Sequence, residues 1–462
     1  MLFIMFSTEL IRTKKLLITW NISIMCEIMK FDVIVIGGGA TGVFTALDLT
    51  LRGLSVALVE REGLASGTSG KFHGMLHSGA RYAVNDPEAA KECIEENFIL
   101  SKIAPHTIVD TGGLFVAVTE SDLDYQDKLE KGLKSVGIPF KEIPVEDVLK
   151  MEPSLNPSIK SSLWVPDKVI YAHDLIFSAA LTASMHGARF FIFREVVDFM
   201  KNGLEIEGIK VFNKIKNRTE VIRGEIIVNA AGPWAGKIAR LAGVEVEIMP
   251  TAGAMGVVPA RLVNHIINRM RPPSDGDILV PYSYNISIMG TTATIIDDPD
   301  NVTISKDDLD LLIKEGSAMV PKLKELGFTR AYASVRPLLK VKGESERAGR
   351  EATRTFQLFD HEKDGIKGLI TVAGGKLTTS RLMGEKVSDL VSEKLGIKEK
   401  SRTREIELLG AKPKEDAETI AKISGLDYYY VKSLLETIGS VDEERFLPAI
   451  RLLLFYAFTK GD

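Results

Sequence analysis

The apolar residues of this chain change period in an order that predicts its first unit. Residues 33–36 ("VIVI") form a continuous apolar run, the pattern of a strand covered on both faces. "GGGATG" follows at 37–42, and residues 40–52 carry the apolar spacing of a helix. A second run, "SVALVE", then ends on Glu60. Strand, glycine turn, helix and strand open a Rossmann unit. Two later segments, "IIVNAAGPWAG" (226–236) and "GLITVAGGKLTTSRLMGEKV" (368–387), each pass from a buried strand through a small-residue turn to a new helix. A helix at 174–186, a strand at 189–193 and the "REVVDFM" run at 194–200 lie ahead of them. Strand-like runs of another kind, "GGLFVAV" and "YNISIMGTT", fall in two insertions at 112–160 and 247–332. They predict an antiparallel sheet roofing the main unit. The acidic "DDPDNVTISKDDLDLL" (297–312) reads as a loop and a capped helix.

The predicted fold class is therefore α/β. A discontinuous Rossmann-type domain takes 31–111, 161–246 and 333–395, the antiparallel-sheet substrate domain takes 112–160 and 247–332, and a small C-terminal helical cap takes 396–462.

Gly37, Gly39 and Gly42 give GxGxxG in the required setting. The first makes the turn, the second lets a pyrophosphate approach the backbone, and the third lets the helix pack on the strand. Glu60 stands eighteen positions after Gly42, where a ribose-binding carboxylate belongs. A dinucleotide site is thus predicted, and the fingerprint alone suits NAD and FAD equally. "GLASGTSGKFHG" (63–74) follows, with Ser66, Thr68 and Ser69 as hydroxyls able to cap a helix or meet phosphate.

The bulk numbers exclude more than they assign. Of 462 residues, 45% are hydrophobic and 26% charged, with a net charge of -4 and no basic run. Nucleic acid is excluded as a partner on that balance. Cys26 and Cys93 are the only cysteines, with no CxxC spacing for zinc or an iron–sulfur cluster. No metal site is expected, the setting is a reduced cytoplasmic one, and any cluster relay must lie on another protein. Residues 1–30 hold a short apolar run, 16–26, below the roughly 20 residues of a spanning helix. They read as a disordered or untranslated extension, with a membrane-surface anchor as the alternative.

Taken together, the three later glycine-bearing segments resemble the D-amino-acid-oxidase-like FAD superfamily. That resemblance implies FAD as cofactor and makes the discontinuous domain an FAD-binding domain. It implies that Ala231, Gly232 and Trp234 line the cofactor, that Val196 meets adenine, and that Gly375, Lys376, Leu377 and Thr378 lie at the flavin. It also implies that "HGMLHSGARYAVND" (73–86) passes the ring, with His73 and Gly74 as cofactor contacts and Arg81 and Tyr82 facing substrate. Arg336, Arg354 and Lys376 are further cations. Read singly, each is a solvated surface charge. Converging, the four would suit a doubly charged ligand such as a phosphate.

More narrowly, "GGGATG", "HGMLHSGARY", "AAGPWAG", "INRMRPPSDGDILVP", "SIMGTT", "SVRPL" and "GGKLTTSRLM" occur in the order of FAD-dependent glycerol-3-phosphate dehydrogenases. The likeness is greatest to the catalytic A subunit of the anaerobic enzyme and covers 31–396. It implies oxidation of sn-glycerol 3-phosphate to dihydroxyacetone phosphate, with a hydride passing from C2 to flavin N5. Electrons would then go to a quinone or to an electron-transfer, membrane-anchor partner protein. Arg81, Tyr82, Arg336, Arg354 and Lys376 would hold substrate, and the chain would be cytoplasmic or peripheral on the membrane's cytoplasmic face. Respiratory relatives carry a candidate base histidine where this chain has Met255, which cannot accept a proton usefully. His77 is the first replacement and Lys376 the second, with Arg336 steadying the alkoxide. The family's cysteine-rich continuation is expected to be absent, and "AIRLLLFYAF" (449–458) reads as buried packing or a docking helix. Two rivals stand beside this reading: an oxidase of another 2-hydroxy acid or amine, and an inactive flavoprotein subunit of a membrane complex.

Overall fold

The computed structural model describes residues 29–283, 285–339 and 355–411, together with 418, 421, 422, 428 and 431. β1 (Met29–Ile36) leads through the glycine turn into α1 (Ala40–Leu51) and back along β2 (Val56–Val59), which is parallel to β1 with Val33 opposite Val56. Strand Arg189–Phe191 continues the sheet beyond β2, and strands Arg218–Asn229 and Leu369–Gly374 continue it on the other side of β1, all parallel. Val33, Ile34 and Val35 are fully buried, as a strand between two helical layers requires. The antiparallel pair Arg194–Asn202 and Glu205–Asn213 flanks the outer half of Arg218–Asn229, and Phe356–Asp360 closes the far edge. Helices Ala172–Met185 and Ser380–Leu395 pack on α1.

Among the described residues the second sheet has nine strands, antiparallel except where Gly113–Ala117 pairs with Ile266–Arg269. Its long elements are Ile248–Val258 and Arg330–Leu339, paired from Ile248–Leu339 to Val257–Arg330. Helices Glu120–Val136 and Lys306–Met319 buttress this sheet. Each starts in a capping box, Thr119 with Asp122 and Ser305 with Asp308. The acidic run is thus a loop and a capped helix.

Two strands sit elsewhere than expected. Ser161–Val165 bonds to Gly113–Ala117 in the second sheet, and all of Arg330–Leu339, including 333–339, belongs there too. Strand periodicity tells which residues are buried but not which sheet buries them.

Beyond Gly396, Ser401 donates to Asp48 at 2.5 Å, and Leu408 and Leu409 join the core behind α1. The apolar run 449–458 and residues 1–28 lie outside the described residues. Among the described residues no helix is long and apolar enough to cross a membrane.

Candidate active site

A cavity of about 1970 Å³ opens between the two sheets, and it has two chemically different ends. At the first, Gly37 adopts φ +114°, and a Cβ there would lie 2.5 Å from the Ala230 carbonyl oxygen. Only glycine fits that turn. A Cβ on Gly42 would overlap the Gly37 oxygen, so this residue serves helix packing and does not line the cavity. The N-terminus of α1 carries no acidic residue in its first turn and faces the cavity at Gly39, Ala40 and Thr41. Its first-turn amides and dipole suit an anion. Ser69 accepts from the Ala40 amide at 3.1 Å, while Thr68 donates to the Val335 carbonyl at 2.6 Å. Glu60 accepts from the amides of Gly38 (2.7 Å) and Glu62 (2.8 Å), and burial raises its pKa. Ser66, Val196, Ala231, Gly232 and Trp234 complete this end.

Over the mouth of this end, loop 297–302 of the roof meets the Rossmann domain. Asp300 accepts from Trp234 Nε1 (2.8 Å), Arg61 Nη2 (2.8 Å) and Lys237 Nζ (2.7 Å), and Asp298 takes Lys237 at 2.6 Å. Arg61 lies 4.4 Å over the Trp234 ring. Burial works upward on the Asp300 pKa, but the hydrogen bonds from Lys237, Arg61 and Trp234 draw it down to about 2.

At the second end, loop 73–82 meets turn 375–379. The His77 amide donates to Thr378 Oγ1 at 3.2 Å, and Lys376 Nζ stands 4.9 Å over the Tyr82 ring. His77 packs against His73 and Tyr82, with ring centroids 5.8 and 5.6 Å away. Beneath the loop, Asp167 accepts from the Ser78 amide at 2.7 Å, and burial pushes its carboxyl up to about 6. His73 Nδ1 accepts from the Met75 amide (3.2 Å), and burial, then the charges of Arg336 and Arg81, hold its pKa at about 3. Arg336 projects from the roof, donating to Thr291 Oγ1 and to the Thr292 carbonyl at 3.0 Å. Gly253 leaves room for it, since a Cβ there would lie 2.8 Å from Arg336 Nη2.

His73, His77, Arg81, Tyr82, Met255, Arg336, Gly375, Lys376, Leu377 and Thr378 all line the one cavity. Two sequence expectations change, and a third falls on a residue that is not described. Arg81 is not a free cation: its Nη2 donates to Asp277 at 2.9 Å, and Asp277 also holds Arg271 at 2.6 Å. Gly74 does not line the cavity, because its missing side chain makes room for Tyr282, whose ring a Cβ built there would overlap. Arg354 lies outside the described residues. Of the cations, Arg81, Arg336 and Lys376 are brought together. Sequence reading missed Asp277, Thr291 and the Asp300 cluster. No local pattern could have paired Arg81 with a carboxylate 196 positions away. Among the described residues no His, Cys, Asp and Glu group could hold a metal.

A glycine-turned dinucleotide groove continuous with a histidine- and cation-lined chamber defines a flavin-dependent oxidoreductase. The chain belongs to the DAO family, FAD dependent oxidoreductases, which it matches over residues 32–390. Within that family it is similar to the A subunit of the anaerobic glycerol-3-phosphate dehydrogenase of Escherichia coli (strain K12), with 40% identity over 399 residues, 86% of this chain and 73% of that one. Among solved structures it resembles the FAD complex of the Bacillus halodurans glycerol-3-phosphate dehydrogenase, at TM-score 0.66 and 23% identity, covering 93% of this chain and 81% of that one. Glycine oxidase from Geobacillus kaustophilus reaches the same TM-score, 0.66, at 21% identity, covering 79% of this chain and 95% of that one. The fold therefore carries both chemistries, and the chamber must decide between them.

The glycine turn, the α1 N-terminus and the Glu60 carboxylate fit the pyrophosphate and ribose of FAD, and the lining of the cavity runs from them to the chamber.

Proposed function

We propose that this chain oxidises sn-glycerol 3-phosphate at C2 to dihydroxyacetone phosphate and hands the electrons to a quinone or a partner protein. When bound, FAD supplies the two-electron acceptor for the C2 hydride. What supports the reading most is that Arg336 and Lys376, from opposite walls, reach one chamber in a chain 40% identical to a dehydrogenase named for this substrate. Two cations suit a phosphate dianion, each well-made charge-assisted bond contributing about 1.5–3 kcal/mol.

We assign the remaining roles by chemistry. The C2 hydroxyl must lose a proton as its carbon loses a hydride. His73 is a poor base, because its Nδ1 already accepts a bond and its low pKa keeps Nε2 as a neutral donor. His77, packed against Tyr82 on the chamber wall, is the base we choose, with Lys376 second. Met255 offers only apolar volume. Arg81, already compensated by Asp277, contributes directed hydrogen bonding more than charge. Glu60, Gly37, Gly39, Thr68, Val196, Ala231, Gly232 and Trp234 would hold the dinucleotide.

The test is anaerobic reduction of the purified flavoprotein. Glycerol 3-phosphate should bleach the flavin absorbance, whereas lactate and glycine should not. Bleaching by lactate or glycine instead supports the hydroxy-acid or amine oxidase reading, and no bleaching by any of them supports the reading as an inactive flavoprotein.

A further inference from the structure

The roof and the Rossmann domain meet at the dinucleotide end through a few polar contacts crowded onto one loop. Asp300 receives three donors, all from the other domain: Arg61, directly after Glu60, and Trp234 and Lys237, from the "AAGPWAG" turn and the helix it opens. Asp298 takes Lys237 as well and accepts from the Asp300 amide at 2.9 Å, which stiffens the loop. Pro299, Asp300 and Val302 line the cavity beside Glu60, Arg61, Trp234 and Lys237. The loop thus spans the groove from the β2 end to the small-residue turn. Its contacts therefore bridge both walls of that end of the cavity.

We infer that Asp300 is a cofactor-positioning residue: by tying Arg61, Trp234 and Lys237 to the roof, it closes the groove over bound FAD and slows FAD release. The inference rests on the FAD of this family, not on the identity of the substrate. Its electrostatic part lies near solvent, with Arg61, Lys237 and Asp300 side chains 35%, 39% and 39% exposed. Salt therefore weakens it, since exposed pairs are screened over about 10 Å or less at moderate ionic strength. A single exposed ion pair contributes little. Here one carboxylate joins three donors, so removing its charge weakens all three ties together, while Asp298 keeps its own bond to Lys237.

The experiment uses the FAD-loaded full chain diluted into FAD-free buffer, with release followed by the rise of free-flavin fluorescence at low and high salt. Asp300→Asn should release FAD roughly tenfold faster at low salt, the scale of a few exposed pairs lost together. Salt should speed release from the wild type and have little effect on the variant. Trp234→Phe keeps a ring under Arg61 but removes the Nε1 donor, and should accelerate release more modestly. Combined with Asp300→Asn, it should add nothing, because both act through one contact. If Asp300→Asn cannot be obtained loaded, Lys237→Met removes a tie from the opposite side and should give an intermediate rate with a weakened salt dependence, since Arg61 still pairs with Asp300. Release within about twofold of wild type at both salts overturns the inference, as does a faster release that keeps the wild-type salt dependence.

Discussion

Gly253→Ala tests the Arg336 assignment without touching Arg336. Gly253 sits in strand Ile248–Val258 opposite Ser334, so alanine suits the local backbone. Its new Cβ would lie 2.8 Å from Arg336 Nη2, 3.3 Å from Cζ and 2.9 Å from the Thr292 oxygen. The flexible guanidinium must therefore withdraw, breaking its bonds to Thr291 and to the Thr292 carbonyl. Losing a charged donor from its place in the chamber costs about 1.5–3 kcal/mol of ligand interaction. At about 1.4 kcal/mol per factor of ten, kcat/KM for glycerol 3-phosphate should fall roughly 10- to 100-fold. Dye-linked turnover under anaerobic conditions measures this, with flavin content and Tm recorded alongside. Flavin content should stay near wild type, because the clash lies in the roof and not in the dinucleotide groove, while Tm should fall modestly because the Thr292 carbonyl must also shift. A kcat/KM within about twofold of wild type would show that Arg336 does not engage substrate, and a fall explained by lost flavin would refute the reasoning equally.

Three further outcomes follow from the same structure. Gly37→Ala forces a Cβ to 2.5 Å from the Ala230 oxygen at a φ of +114°, so the flavin-to-protein absorbance ratio should collapse while far-ultraviolet circular dichroism persists. His73 titrates at 6.5 when exposed but about 3 when folded. Below pH 6.5 the unfolded chain binds a proton that the folded chain refuses, so stability falls with pH toward 3. The slope is about 1.4 kcal/mol per pH unit at most. His73→Asn should flatten it relative to wild type in denaturant titrations near pH 7 and about pH 5; equal slopes would refute the shift. Cys93 is fully buried, with burial pushing its thiol up to about 11. In a Cys26→Ser background it should react with maleimide only after unfolding.

What could be read in advance divides along chain distance. The glycine turn, its helix and Glu60 form a local unit whose roles follow from spacing, and the structure gives Gly37 and Glu60 the contacts that such a turn needs. FAD followed from resemblance, and family membership supports it. The partners of the cations were not legible. Asp277 meets Arg81 only because strand Ile278–Ser283 brings a distant turn under the "HSGARY" loop, and Thr291 meets Arg336 across two strands. Gly74 shows the converse failure. A glycine in a cofactor loop suggests close approach to a ring, yet the crowding comes from Tyr282. Steric demand on a glycine is visible in sequence, but its source is not.

The long pairing of Ile248–Val258 with Arg330–Leu339 has an evolutionary consequence. Thr251, Gly253 and Met255 stand opposite Arg336, Ser334 and Tyr332, so alternate residues of a two-stranded ribbon share one face. Gly253, Met255, Ser334 and Arg336 from that face line the chamber, while Glu60 and the Gly37 turn belong to the other sheet. A lineage can therefore rewrite its diet by exchanging a handful of side chains on this ribbon, leaving the yellow cofactor's berth inherited intact.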